Sequence, residues 1–233
     1  MENLVASTPS ETGFTAGLRA AADPIWRQQA AHPFLRGLAD GTLPAARFLF
    51  YTRQDAVFLQ ELNRVFGYGA ARADTGADQA HFARLLIETQ QILDDLHGRY
   101  AAGQGVDAAT LAATRPAAVT YAYSRHLLST AVADSYPALI AALLPSMWMY
   151  DELGHALAAQ GTPRADHPYR DWLLVHAGPH LQDITTWMRA LLDERAPTLP
   201  AAERAHLQDV FLISSRYEIL FWEMAWREEQ WPV

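Results

Sequence analysis

YPALIAALLPSMWMYDELGHALAAQ, residues Tyr136–Gln160, is the clearest indication of fold class in this chain of 233 residues. Ala and Leu are the commonest residues of the stretch and no strict alternation of apolar and polar residues persists, so it predicts a long, buried helix. Pro145 should bend that helix, because proline removes one backbone hydrogen bond. The apolar run Pro137–Tyr150 is shorter than the ~20 residues that a membrane span needs.

Helical composition continues on both sides of this stretch. The remaining predicted helices are at about 14–31, 44–72, 78–100, 116–133, 168–176, 179–194 and 200–231. The connections, including a turn-rich segment at 32–44, are too short to separate domains. Residues 1–11 are predicted to be a flexible arm. The sequence therefore predicts an all-α protein in which residues 12–233 form a single helical domain.

Composition restricts the partners that we expect. The formal net charge is -8 and no dense run of Lys or Arg occurs, so the chain should repel nucleic-acid phosphates. It has no cysteine, which excludes disulfides, thiolate metal sites and a cysteine nucleophile. Its first residues lack the basic and apolar regions of a signal peptide. We therefore expect a soluble cytoplasmic protein that binds neither nucleic acid nor membranes.

Two acidic residues lie on otherwise apolar faces of predicted helices. Asp55 shares its face with Tyr51 and Phe58, and Glu218 shares its face with Ser215 and Trp222. A buried carboxylate is costly unless it has a partner, so each acid is either functional or tied to a Tyr or Arg side chain. For Glu218 the functional interpretation is favoured, because burial raises the pKa of a carboxyl group and makes it a proton donor near neutral pH.

Three further features leave alternatives open. Ser146 follows Pro145 at the predicted bend, where it either faces a site or eases packing. In Tyr121-Ala-Tyr123 one tyrosine should point inward, although a helical tyrosine more often belongs to the core.

Glu152-x-x-His155 and Glu203-x-x-His206 have the spacing that di-iron bundles use. Such a site needs a Glu from each of two further helices, and Glu203 follows Pro200 in a polar first turn that favours an acid. We therefore expect no metal.

Several short motifs follow one another between Trp26 and Trp231. They are His32-Pro33-Phe34 with Gly41-Thr42-Leu43-Pro44, Tyr51-x-x-Gln54-Asp55, Tyr121-x-Tyr123, Ala141-Ala-Leu-Leu-Pro145-x-x-Trp148-x-Tyr150-x-Glu152-x-Gly154 and Ile213-Ser-Ser-x-Tyr217-Glu218-x-x-Phe221-Trp222. In this set the chain resembles the TenA (thiaminase II) family. The resemblance implies a haem-oxygenase-like helical bundle, usually a homotetramer, with a pocket for 4-amino-2-methylpyrimidines. It implies no cofactor and no metal.

The resemblance also assigns roles to residues. Asp55 matches the aspartate that hydrogen-bonds the aminopyrimidine, and Glu218 matches the glutamate that bonds the ring and moves protons. Phe58 matches an aromatic residue that packs on the ring. The other implied substrate-binding residues are Tyr51, Tyr123, Tyr150, His176, Tyr217 and Trp222. Members of the family hydrolyse thiamin or convert 4-amino-5-aminomethyl-2-methylpyrimidine to its hydroxymethyl form.

Two residues depart from the family pattern. Ser146 stands where the family has its nucleophilic cysteine, and His176 stands where we align a pocket tyrosine. A thiol with a pKa of about 8.5 supplies some thiolate at neutral pH, whereas a serine hydroxyl needs an adjacent base. Asp55 is the candidate base for Ser146, and direct hydrolysis by Asp55 and Glu218 is the other route.

The expected function is therefore a hydrolase of thiamin-pyrimidine salvage. A branch of the family without the cysteine is thought to act on formylated aminopyrimidines, so the predicted substrate is the aminomethylpyrimidine or its formylated derivative. One alternative is a non-catalytic pyrimidine-binding or regulatory protein on the same fold. A second alternative is a haem-oxygenase-like di-iron oxidase.

Overall fold

Helices make up the regular secondary structure of residues 12–232, the part of the chain that the computed structural model describes, and no β-strand occurs there. They are α1 (Phe14–Ala31), α2 (Pro33–Asp40), α3 (Ala45–Arg72), α4 (Gly76–Ile92), α5 (Gly98–Gly103), α6 (Ala108–Ala112), α7 (Ala118–Ala133), α8 (Tyr136–Ala158), α9 (Arg170–His176), α10 (His180–Arg195) and α11 (Ala201–Arg227). The prediction of an all-α protein is confirmed. The predicted arm at residues 1–11 lies outside the described residues.

Two predicted elements differ from the structure, the turn-rich segment at 32–44 and the helix at 78–100. The segment predicted as turns contains α2, because Pro33 occupies the first helical turn and the His32 side chain accepts a hydrogen bond from the Phe34 N–H at 3.2 Å. Gly41 ends α2 with a φ of 79°. The predicted helix at 78–100 is interrupted by a π-helical turn at Leu93–His97.

The described residues pack as two compact units. The first unit comprises residues 12–43 together with Ile140–Ile219, and the second comprises Pro44–Leu139 together with residues 220–232. The single domain over residues 12–233 stays a prediction.

In the first unit, α8 is held by side chains of α1. Ile140–Met149 are all buried, and Pro145 lies within this run. Arg19 donates from Nε and Nη2 to the two carboxylate oxygens of Glu152 at 2.9 and 3.0 Å. Gln29 donates from Nε2 to the Met149 carbonyl oxygen at 3.3 Å. These contacts fix the half of α8 that follows the proline.

In the second unit, α3 packs closely against α4 and α7. Gln54 accepts hydrogen bonds from the Ala117 N–H and the Thr120 hydroxyl, both at 2.8 Å, which ties α3 to the start of α7. Gly69 of α3 faces the fully buried Phe82 of α4 so closely that an added Cβ would overlap the ring. A glycine is therefore required at this contact.

We expect Gly69→Ala to lower the free energy of unfolding by about 1–3 kcal/mol, because the added methyl group displaces the buried Phe82 ring. Gly67→Ala on the same helix is the matched control. No atom lies within 4 Å of a Cβ at Gly67, so this change should leave stability unchanged or raise it by up to ~1 kcal/mol. Urea unfolding of the variants measures both effects. Equal stability of the two variants would contradict the packing described here.

Candidate active site

The residues that the sequence predicts for a site occur in both units. The second unit holds Tyr51, Asp55, Phe58, Tyr123 and Trp222, and the first unit holds Ser146, Tyr150, His176, Tyr217 and Glu218. The geometry of each group is given within its own unit.

In the second unit, the predicted aromatic residues form a continuous cluster. The Phe58 and Tyr123 rings stack with centroids 4.8 Å apart, and the Tyr51 and Trp222 rings stack at 5.4 Å. Phe221 joins the two pairs, because its ring lies 5.6 Å from Phe58 and 6.1 Å from Tyr51. Four of the five predicted residues of this unit thus belong to one buried aromatic cluster.

Asp55 lies beside this cluster, but it is less enclosed than predicted. The Tyr51 hydroxyl donates to Asp55 Oδ2 at 3.4 Å, which is a long hydrogen bond. The helix face of Asp55 predicted a buried carboxylate, and this prediction is wrong because the residue is only partly buried. The periodicity of α3 identifies which residues share a face, but it does not give the depth of that face below the surface.

One of the two tyrosines on α7 points inward, as the sequence predicted. Tyr123 is buried and contacts Phe58, whereas Tyr121 is half exposed and lies against Trp231, with ring centroids 6.4 Å apart. Tyr123 is therefore the inward-facing tyrosine.

In the first unit, the Ser146 hydroxyl is engaged with the backbone. Ser146 is buried on α8, and its Oγ donates to the Leu143 carbonyl oxygen at 2.7 Å. A carbonyl oxygen does not remove the hydroxyl proton, and a serine becomes a nucleophile only when a base does so. This contact therefore holds Ser146 as a hydrogen-bond donor.

Glu218 on α11 is 3% exposed, which confirms the burial that its helix face predicted. Ser214 and Ser215, one turn earlier, are fully buried, and Ser215 Oγ accepts a hydrogen bond from Trp26 Nε1 at 3.0 Å. Tyr217, its neighbour, is half-buried.

His176 lies at the C-terminal end of α9 beside Tyr150 of α8. Its ring stacks on Trp172 at 3.8 Å and 21°, and its centroid is 5.4 Å from that of Tyr150. The ring nitrogen Nδ1 is 2.8 Å from the Trp172 carbonyl oxygen. Trp172 was not among the residues predicted from the sequence, although the four-residue spacing between Trp172 and His176 places them on one helix face.

A second polar cluster of the first unit surrounds Glu152. The Arg19 guanidinium that bonds Glu152 also lies over the Trp26 ring at 4.3 Å. Burial raises the pKa of the neighbouring Asp151, against the opposing effect of His155. Because Arg19 occupies both oxygens of Glu152, the Glu152-x-x-His155 spacing does not supply a metal ligand pair. No cluster of three or more His, Asp or Glu side chains suited to a metal occurs among the residues that the structure describes.

Known proteins place this chain in a family. The model of the TENA/THI-4/PQQC family matches residues 19–228. The chain belongs to the TENA/THI-4/PQQC family. A relative of this TenA family, the aminopyrimidine aminohydrolase of Halalkalibacterium halodurans, is 38% identical over 94% of the chain and 97% of its own length.

Solved structures confirm the fold. A TenA homologue from P. horikoshii has a TM-score of 0.80 at 26% identity, covering 93% of this chain and 99% of its own. A domain from Shewanella denitrificans with a heme oxygenase-like fold has a TM-score of 0.65 at 12% identity, covering 92% of each chain. The TenA chain described here therefore has the predicted haem-oxygenase-like fold. No helix between residues 12 and 232 combines the length and apolar character of a membrane span.

Proposed function

We propose that this protein hydrolyses 4-amino-5-aminomethyl-2-methylpyrimidine, or its formylated derivative, in the salvage of the pyrimidine half of thiamin. The observation that carries the proposal is the buried carboxyl group of Glu218, within a chain 38% identical over nearly its whole length to an aminopyrimidine aminohydrolase. Membership of the TenA family supports the same reaction class.

The proposed reaction replaces an amine by a hydroxyl group. In the aminomethylpyrimidine, water adds to the exocyclic methylene carbon, the C–N bond breaks, and the amine leaves as ammonia. In the formylated derivative, water adds to the formyl carbon, the amide C–N bond breaks, and formate and the aminomethylpyrimidine are released. Glu218 supplies a proton to the departing amine, because a buried carboxyl group holds its proton more readily than an exposed one. Asp55 accepts a hydrogen bond from the 4-amino group, and the aromatic surface of Phe58 and Tyr123 packs against the pyrimidine ring.

Glu218→Gln should lower kcat by about 100- to 10,000-fold, the usual contribution of a positioned acid or base, with the fold retained. Ammonia release from the aminomethylpyrimidine measures the effect. Glu223→Gln on the same helix is the matched control, since Glu223 is partly exposed and pairs with Arg227, so its activity should match the wild type. A Glu218→Gln protein with full turnover would refute the role of this acid.

We propose that Ser146 takes part without forming a covalent adduct, because its hydroxyl donates to the Leu143 carbonyl. Ser146→Ala should therefore keep kcat within about tenfold, the effect of losing one hydrogen bond of about 1 kcal/mol. Its free energy of unfolding should fall by a similar amount. Loss of turnover by more than a thousandfold in a folded Ser146→Ala protein would instead identify the serine as a nucleophile.

A second candidate is a pyrimidine-binding protein without turnover, and the absence of cysteine from the whole chain favours it. Hydroxymethylpyrimidine should raise the Tm in either case, because a ligand that binds only the folded state stabilises it. Release of ammonia or formate from the amines separates the enzyme from the binding protein.

We also propose that the protein is a cytoplasmic homotetramer. Family membership supports the assembly, and the lack of cysteine is consistent with a reducing compartment. Light scattering of the purified protein would give the number of subunits.

A further inference from the structure

A cavity of about 330 Å³ lies in the first unit, where the C-terminal ends of α2, α8 and α9 meet. Exposed polar residues of its lining, Gln160, Thr162 and Arg164, leave it open to solvent. The apolar residues that line it are Ala39, Leu157, Pro163, Leu173, Leu174 and Ala177. Sites for small molecules have volumes of about 300–1,000 Å³ and mostly apolar walls with a few polar groups. None of the predicted site residues of this unit lines the cavity, so the candidate active site does not account for it.

Side-chain hydrogen bonds hold one wall of this cavity in place. The Tyr169 N–H donates to His167 Nδ1 at 3.2 Å, so His167 Nε2 carries the ring hydrogen and donates to the Ala39 carbonyl oxygen at 3.2 Å. With a lone pair on Nδ1, the imidazole is uncharged. The Tyr169 hydroxyl donates to the Leu43 carbonyl oxygen. Residues 167–169 are therefore tied to α2 and to the loop that follows it, so the cavity is present before a ligand binds.

Carbonyl groups at the helix ends give the cavity a partial negative charge. The last four carbonyl groups of a helix have no partner inside it, and together they form the negative end of the helix dipole. At the end of α8, the Leu157 and Ala158 carbonyl oxygens each accept a backbone hydrogen bond, from Gln160 and Gly161. A carbonyl oxygen has two lone pairs, so each has capacity for a second donor.

The end of α9 has a further acceptor of this kind. Gly178 donates its N–H to the Val175 carbonyl oxygen at 3.3 Å, and Pro179 has no N–H. The Leu174 carbonyl oxygen, four residues before Gly178, therefore does not receive the bond that would continue the helix. Leu174 lines the cavity, so this acceptor lies close to it.

Arg164 is the one charged side chain among the described lining residues, and its charge is balanced. Its guanidinium donates from Nε and Nη2 to the two carboxylate oxygens of Asp166 at 3.1 and 3.3 Å. Both side chains are largely exposed, so water also screens the charge. Arg164 therefore does not cancel the partial negative charge of the helix ends.

We propose that this cavity binds a small organic ammonium ion. The apolar part of the ligand packs against Leu157 and Leu173, and the ammonium group donates to carbonyl oxygens at the ends of α8 and α9. An ammonium group has three donors and no acceptor, which matches a wall that offers carbonyl oxygens. The cavity has the volume of about ten water molecules at ~30 Å³ each, so the ligand is a compact amine. The inference is independent of the proposed function.

Three matched probes test the charge of the ligand. Benzylammonium, benzyl alcohol and benzoate share one aromatic ring and differ in the charge of the attached group. An NMR titration that follows backbone amide shifts locates and quantifies binding. Benzylammonium should shift the amide signals of Gly161, Thr162 and Ala177 and bind about tenfold or more tightly than benzyl alcohol, the usual gain from a charged donor. Benzoate bound as tightly as benzylammonium, or shifts confined to amides around Glu218, would overturn the inference.

Two neighbouring alanines test the place of binding. Ala158 and Ala159 are both exposed, but only Ala158 lines the cavity. Ala158→Trp should fill the cavity and remove the benzylammonium shifts, whereas Ala159→Trp should keep the wild-type affinity. Wild-type affinity in Ala158→Trp would contradict the assignment. If that variant does not fold, Thr162→Trp takes its place with the same expected loss, because Thr162 is an exposed lining residue.

Arg164→Gln tests which groups hold the ligand. It should leave the affinity for benzylammonium unchanged or raise it, because removing a positive charge favours a cation. A tenfold fall in that affinity would show that the guanidinium holds the ligand, and would refute the role of the carbonyl groups. The titrations need no turnover, so failure of the proposed hydrolysis would leave this inference standing, and loss of ammonium binding would leave the proposed hydrolysis standing.

Discussion

Pro145 leaves the backbone of α8 one hydrogen bond short, in the middle of a helix that is buried on both sides of it. A proline at this position cannot donate to the Ala141 carbonyl four residues earlier. The residues beyond it, including Ser146, Tyr150 and Gly154, therefore depend on contacts with other helices of the first unit. Arg19 and Gln29 of α1 supply those contacts through Glu152 and the Met149 carbonyl oxygen.

The bond between Arg19 and Glu152 fixes geometry more than it adds stability. Arg19 is 8% exposed, and moving its charge out of water costs several kcal/mol before any attraction to Glu152 is counted. Burial by itself acts to lower the pKa of Arg19, but the bonds to Glu152 and Asp23 raise it, so the guanidinium stays charged. The two-point contact sets the direction of Glu152 and with it the rotation of the second half of α8.

The sequence predicted those features that depend on residues close together along the chain. The bounds of α1 and the burial of Glu218 follow from helical periodicity, because residues three, four and seven apart share a face. The partial exposure of Asp55 does not follow from that pattern, since it depends on which residues of other elements cover the face. The helix α2 was missed because its proline and glycine serve as a helix start and stop rather than as turns.

Contacts of the candidate site that involve backbone atoms could not be predicted from the sequence. The bond from His176 to the Trp172 carbonyl and the close approach at Gly154 depend on how α9 meets α8, and neither leaves a composition signal. The sequence motif that contains Tyr150, Glu152 and Gly154 nevertheless identified these three residues. Each contacts a neighbouring helix from the second half of α8: Glu152 bonds Arg19 of α1, and Tyr150 and Gly154 lie against His176 of α9.

A double-mutant cycle on Arg19 and Glu152 tests most directly whether this bond holds the second half of α8. Arg19→Met and Glu152→Gln should each lower the free energy of unfolding by about 1–3 kcal/mol, because each leaves a largely buried charged group without this bond, while Arg19 keeps its bond to Asp23. The double variant should lose about 0.5 kcal/mol or more less than the sum, which is the coupling expected of residues in direct contact. Two single effects that simply add would contradict this account.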